Sequence, residues 1–242
     1  MLVGIIGCGS IGSYLAEHLP KLGFNVSAIY DSDFGRLEKV GKKTGVKTKR
    51  SFEEFLEERM DIVVESASQE ALREYAEKIL LSGRDLIALS VGAFADRDFY
   101  RRISELCKNL GRKVYIAYAL AGLDAISAVS DFIEEIEMES RKSRRTVGEL
   151  KFEGSSFEAS KLFPKSMNVA TALAIASKRD FKVRFTAGDE EENVHMLRVR
   201  WRFGEIEVKV KNKVMEENPR TSFLAVLSVI RILRNIEGGI VV

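Results

Sequence analysis

The spacing of apolar and polar positions changes once along the chain. Up to about residue 117, short unbroken apolar runs alternate with stretches of helical period; beyond about residue 131, apolar side chains recur at every second position. In the first part, the runs at 2–6, 26–30, 61–65, 85–89 and 113–117 predict five buried strands. Leu15, Leu19 and Leu22 hold a helical stripe as far as Gly23, and residues 34–43, 52–58, 69–81 and 98–110 read as further helices. Strands that alternate with helices imply right-handed crossovers and a mostly parallel, doubly wound sheet. Ligands lie at the carboxyl ends of such strands, which singles out residues 7–12, 65–68 (with Ala67 and Ser68), 90–93 and 118–119.

In the second part, Glu135, Glu137 and Glu139 share one face and Ile136 and Met138 the other; Lys182 and Arg184 likewise oppose Phe181, Val183 and Phe185. Arg198, Arg200 and Arg202 oppose His195, Leu197, Val199, Trp201 and Phe203, and after a turn at Gly204 the residues Ile206, Val208 and Val210 alternate with Glu207, Lys209 and Lys211. This pattern predicts an α+β domain on a largely antiparallel sheet with one charged and one apolar face, the apolar face covered by helices near 121–131 and 166–177. Acidic and basic strands interleave, so the charged face reads as cross-strand ion pairs on a solvated or subunit-facing surface rather than a nucleic-acid patch. A last amphipathic helix at 221–236, with Leu224, Leu227, Ile230 and Leu233, is expected to return to the first domain. The expected domains are thus 1–117 and 118–218, with 219–242 packing back on the first.

The turn after the first strand, Gly7-Cys8-Gly9-Ser10-Ile11-Gly12, fits G-x-G-x-x-G. Its glycines suit a tight turn, the approach of a pyrophosphate to the backbone, and close packing of the next helix. The second strand ends at Asp31, about 20 residues beyond Gly12, where an acid accepts hydrogen bonds from an adenosine ribose. Strand, turn, helix, strand and acid together make the first domain a Rossmann-type unit that binds NAD or NADP.

Charge and cysteine usage narrow the classes further. The net charge of +2, from 38 basic and 36 acidic residues, is too even to suggest nucleic acid or an anionic membrane. No apolar run approaches the roughly 18 residues of a membrane span. Two cysteines, Cys8 in the glycine turn and Cys107 on a helix, make no disulfide framework and suit reduced cytoplasm. Cys8 reads as a small filler. No pattern of metal ligands stands out.

Of two histidines, His18 flanks the stripe of the first helix and reads as structural. His195 lies on the apolar face of a strand, where a packed core histidine is the plain reading; it is also the one remaining candidate for a base that works near neutral pH. In Phe163-Pro164-Lys165-Ser166-Met167-Asn168, proline ends one helix and Lys165 stands at the start of the next, where backbone N–H groups attract anions.

The chain resembles the L-aspartate dehydrogenases essentially from end to end. The resemblance is carried by the glycine turn, Val64-Glu65-Ser66-Ala67-Ser68, Gly92-Ala93-Phe94-Ala95-Asp96, Gly122-Leu123-Asp124-Ala125, Phe163-Pro164-Lys165, Asn168-Val169-Ala170, Asn193-Val194-His195 and Asn218-Pro219-Arg220-Thr221-Ser222. It implies a homodimer that oxidises L-aspartate with NAD or NADP through iminoaspartate to oxaloacetate and ammonia, feeding NAD biosynthesis. It makes His195 the catalytic histidine and Ala119 and Asn168 the contacts on the nicotinamide side. Lys165 and Asn193 are then the candidates for binding substrate. Residues 117–121, Ala-Tyr-Ala-Leu-Ala, depart from the family by replacing a serine and two glycines, which leaves the substrate open. Two alternatives stand beside this reading: another two-domain NAD(P)-dependent dehydrogenase or reductase, and a dinucleotide-binding sensor without catalysis.

Overall fold

The computed structural model describes residues 1–189, 192–215 and 218–239. The chain divides into two compact units, Met1–Ala117 with Val226–Val242, and Tyr118–Ala225.

The first unit alternates β1 (Leu2–Ile6), α1 (Ser10–His18), β2 (Asn25–Tyr30), α2 (Phe34–Thr44), β3 (Thr48–Lys49), α3 (Phe52–Glu57), β4 (Ile62–Glu65), α4 (Gln69–Leu81), β5 (Asp85–Ala88), α5 (Arg97–Leu110) and β6 (Val114–Ile116). These strands form one sheet in the order β3-β2-β1-β4-β5-β6, every pair parallel. Val3, Ile5, Ile29, Val63, Val64, Leu86 and Ile87 are fully buried, because helices cover both faces of the sheet. The sequence pattern gives five strands here and the structure has six. The extra one, β3, is a two-residue edge strand, too short to carry a period. The helical stripe also ends early. Pro20 has no N–H to donate and its ring crowds the carbonyl four residues back, so α1 stops at His18. A 3-10 turn over Pro20–Leu22 follows, closed by Gly23 in the left-handed region, and Leu22 is left exposed.

The second unit contains α6 (Leu123–Ala128), β7 (Ile133–Ser143), α7 (Arg144–Val147), β8 (Lys151–Ser155), α8 (Ser156–Leu162), α9 (Asn168–Ser177), β9 (Lys182–Gly188), β10 (Asn193–Trp201), β11 (Gly204–Asn212), β12 (Val214–Met215) and β13 (Asn218–Ser222), and α10 (Phe223–Glu237) runs from it into the first unit's share of the chain. Its main sheet has the order β11-β10-β7-β9-β8. All its pairs are antiparallel except β7 with β9. Ile136, Met138, Val183, Phe185, Leu197 and Val199 are buried on one face, as the alternation requires. The helix expected over 121–131 is broken into α6 and a 3-10 turn at Ser130–Phe132. The helix expected from residue 221 begins at Phe223, because Asn218–Ser222 pairs instead with Val214–Met215. Among the described residues, no helix is long and apolar enough to cross a membrane.

Candidate active site

At the carboxyl end of β1 each glycine of the turn meets a different constraint. Gly7 lies at φ +100° and donates its N–H to Tyr30 O at 2.8 Å. A Cβ there would fall within 3 Å of the Ser66–Ala67 backbone. A Cβ on Gly12 would lie 1.8 Å from Gly7 O, so helix and turn touch through the missing side chain. Gly9 differs. A Cβ there would meet no protein atom within 4 Å, and its φ of −69° suits any residue. Nothing inside the protein requires glycine at that point. The open space lies at the amino end of α1, whose N-cap offers no side-chain acceptor to Ser10, Ile11 and the N–H groups behind them. Such a helix end attracts a phosphate, so the residues present fit a dinucleotide.

Asp31 ends β2 beside this turn. One of its carboxylate oxygens accepts from Cys8 N at 2.5 Å and the other from Asp33 N at 2.7 Å. The carboxylate therefore braces the turn, while each oxygen keeps a second lone pair for a ribose hydroxyl. Ser68 accepts from Ala71 N at 3.2 Å as the N-cap of α4, and Ala67 is exposed beside it. The Cys8 thiol is pushed up to about 12, chiefly by burial and then by Asp31, which makes it an inert filler.

Glu65 organises the neighbouring loops. This carboxylate is fully buried and accepts from Ala67 N at 2.8 Å, Ser90 Oγ at 2.8 Å and Ser90 N at 3.0 Å. Burial raises its pKa against those hydrogen bonds. The loops after β4 and β5 are thus tied to one side chain. Alternation alone reads this residue as the end of a strand, and its role emerges only from the pairing of β4 with β5.

In the second unit, the apolar face of the main sheet turns polar at one end. His195 is 3% exposed, and its Nδ1 lies 2.9 Å from Ser140 Oγ, directly opposite on β7. Just beyond the Val194–Arg141 pair, the same face continues with Lys142 on β7 and Asn193 on β10, and Asn193 pairs with Asn212 of β11. All of these side chains are buried, Lys142 at 4% exposure. The imidazole is pushed down to about 3, first by burial and then by the Lys142 ammonium. A histidine near 6.5 is the sequence expectation; the structure holds it neutral well below that.

Asn212 Nδ2 donates to Ala119 O at 3.2 Å, which anchors the 117–121 loop to β11. Asn168 is the first residue of α9 and half-buried. The turn before it is set by Ser160, which donates to Met167 O at 3.0 Å, and by Phe163, which packs edge-on against Phe152 and Phe185. Lys165 stands exposed on that turn, three residues ahead of α9. Sequence reasoning missed Ser140, Lys142 and Asn212; their signal is polar identity on an apolar face, visible once strand register is known.

The opposite face of this sheet is a lattice of ion pairs. Arg198 pairs with Glu207 and Arg200 Nη2 lies 2.6 Å from Glu135, while Lys182 pairs with Glu153. Neighbouring strands supply the counter-charges, so repulsion among the basic residues gives no argument for a second subunit.

Comparison with known proteins bears on both units. A family description, "Homoserine dehydrogenase, NAD binding domain", matches residues 7–117, and "Aspartate dehydrogenase, C-terminal" matches residues 124–236. The chain is 53% identical over 245 residues to the L-aspartate dehydrogenase of Archaeoglobus fulgidus, covering 100% of both. It is 39% identical to that of Thermotoga sp., covering 100% of this chain and 99% of the other. The crystal structure of aspartate dehydrogenase from Thermotoga maritima superposes with a TM-score of 0.78 at 32% identity, covering 100% of this chain and 99% of that one. A putative myo-inositol dehydrogenase from Sinorhizobium meliloti, at 11% identity and a TM-score of 0.63 over 99% of this chain and 90% of the other, shares the fold alone.

Proposed function

The chain belongs to the L-aspartate dehydrogenase family, and its first unit is an NAD(P)-binding domain; from that premise we propose that it oxidises L-aspartate through iminoaspartate to oxaloacetate and ammonia. The observation that carries the proposal is the buried, uncharged His195 held by Ser140 at the polar end of an otherwise apolar face.

The nicotinamide, when bound, accepts the hydride from Cα. Gly7, Gly9, Ser10, Ile11, Gly12, Asp31, Ala67 and Ser68 hold the dinucleotide, with Ala119 and Asn168 on its nicotinamide side. Hydride leaves Cα only when the amine lone pair is free, so the substrate ammonium first loses a proton. With Nδ1–H donated to Ser140 Oγ, the Nε2 lone pair of His195 faces that task. Once that proton has passed to solvent, the same nitrogen takes a proton from the water that adds to the imine and returns it to the amino nitrogen, so that the adduct collapses to the ketone and releases ammonia. An imidazole at about 3 is a weak base in the free protein. A substrate with two carboxylates changes that: one unit charge at about 4 Å and an effective dielectric near 20 is worth about 4 kcal/mol, or roughly three pKa units. Substrate charge thus switches the base on. Asn193, two residues before His195 on the same face, and Lys165 complete the proposed substrate contacts.

We also infer a cytoplasmic homodimer that feeds NAD biosynthesis. Two free cysteines suit the compartment, and the family resemblance supports the assembly and the metabolic role. Initial rates with each candidate amino acid and NAD or NADP test the function. Aspartate is expected to lead, and His195→Asn to lose roughly 10²–10⁴-fold in turnover with dinucleotide affinity retained. Full turnover in a folded His195→Asn would remove the base from the scheme.

A further inference from the structure

We propose that Glu65 is a positioning residue for the nicotinamide half of the dinucleotide, its buried carboxylate setting the two loops that receive that half. The inference rests on the dinucleotide-binding unit and not on which substrate is oxidised.

Strand order places these loops. The sheet runs β3-β2-β1-β4-β5-β6, so the order reverses between β1 and β4. In such a sheet the dinucleotide lies across the carboxyl ends of the strands at the reversal, one mononucleotide to each half. The glycine turn after β1 and Asp31 after β2 belong to the adenosine half, which leaves the ends of β4 and β5 to the nicotinamide half. Glu65 is the last residue of β4, and Ser90 stands just past the end of β5.

One side chain joins the two ends. Glu65 Oε1 accepts from Ala67 N and from Ser90 Oγ, each at 2.8 Å, and Oε2 accepts from Ser90 N at 3.0 Å. The backbone ladder between the strands runs out with Leu89 N on Glu65 O at 3.1 Å, and past that point the carboxylate bridges the loops. The loop after β4 also reaches β1, where Ser66 N donates to Ile6 O at 2.8 Å. The loop after β5 continues as a 3-10 turn over Val91–Ala95, in which Ala93 N donates to Ser90 O at 3.0 Å. Glu65 thus sets the spacing of the two loops from inside the protein, at full burial and without reaching the ligand's side.

The carboxylate is needed for this because each of its oxygens receives a backbone N–H. A glutamine of nearly the same volume has one oxygen and an NH₂ group, so one of those backbone donors would face another donor. Packing would stay and one loop would lose its tie.

The test is calorimetric titration of the full chain with NAD and with ADP, which keeps the adenosine and both its phosphates but lacks the nicotinamide riboside. Glu65→Gln is expected to weaken NAD by about tenfold or more and ADP by no more than about twofold. Ser90→Ala removes one of the three hydrogen bonds and should move the ratio of the two affinities the same way by about threefold. Equal weakening of NAD and ADP by folded Glu65→Gln would make the carboxylate a support of the fold only. NAD affinity within about twofold of wild type would remove it from the site. Either result would overturn the proposal. Should Glu65→Gln fail to fold, Ser90→Ala decides by the same split: a loss selective for NAD supports the role of Glu65, and no selective loss overturns it.

Discussion

The low pKa of His195 has a consequence that stability measurements reach directly. In the unfolded chain the imidazole titrates near 6.5; in the fold, burial and Lys142 hold it at about 3. Between those values the unfolded state binds a proton that the folded state refuses. Stability therefore falls as pH drops below 6.5 and levels off only below the folded value. At about pH 5 the unfolded ring is protonated about 30 to 1 while the folded ring is neutral, so this one group costs about 2 kcal/mol relative to about pH 7. That figure is set almost wholly by the unfolded pKa, since at about pH 5 the folded ring is already uncharged. Denaturant unfolding of wild type and His195→Asn at both pH values isolates it, because every other titrating group cancels in the comparison. The wild type should lose about 2 kcal/mol more than the variant. Equal losses, or a protonation midpoint for this ring near neutrality in an NMR titration of the two histidines, would refute the buried neutral base.

Further predictions concern the first unit and the assembly. Gly9→Ala should fold as wild type yet raise the NAD KM by about tenfold or more, whereas Gly12→Ala, with its Cβ 1.8 Å from Gly7 O, should lose at least about 1–3 kcal/mol of stability; normal NAD binding by Gly9→Ala would deny the open space to a pyrophosphate. Asp31→Ser should shift the ratio of NADP to NAD efficiency toward NADP by about tenfold, and an unchanged ratio would remove Asp31 from the ribose. Sedimentation at micromolar concentration should give a dimer; a monomer would refute the assembly inferred from the family.

The first β-turn-α-β segment was legible in the sequence because each signal there is local. Apolar runs are unbroken, the three glycines sit in one hexapeptide, and Asp31 closes the next strand. What escaped is what depends on partners distant in sequence. β3 is two residues long, and Lys151–Ser155 has a glycine and two charges where a period would have to show, so β8 is defined by its pairing with β9. Pro20 signals the end of α1 locally, but the leucine stripe runs past it to Leu22. In the site, Asn193 and His195 were visible on their own strand. Ser140 and Lys142 lie more than 50 residues earlier and Asn212 on the following strand, so only register reveals them as neighbours. The pKa of His195 escaped for the same reason, since burial and a cation from another strand set it.

The central claim is that hydride passes from Cα of L-aspartate to the nicotinamide. L-aspartate carrying deuterium at Cα, incubated with the protein and NAD, tests it by mass spectrometry of the reduced dinucleotide. Reduced NAD that carries one deuterium is expected, formed by the wild type and nearly abolished in His195→Asn. No reduced dinucleotide, or reduced dinucleotide without the label, would contradict it.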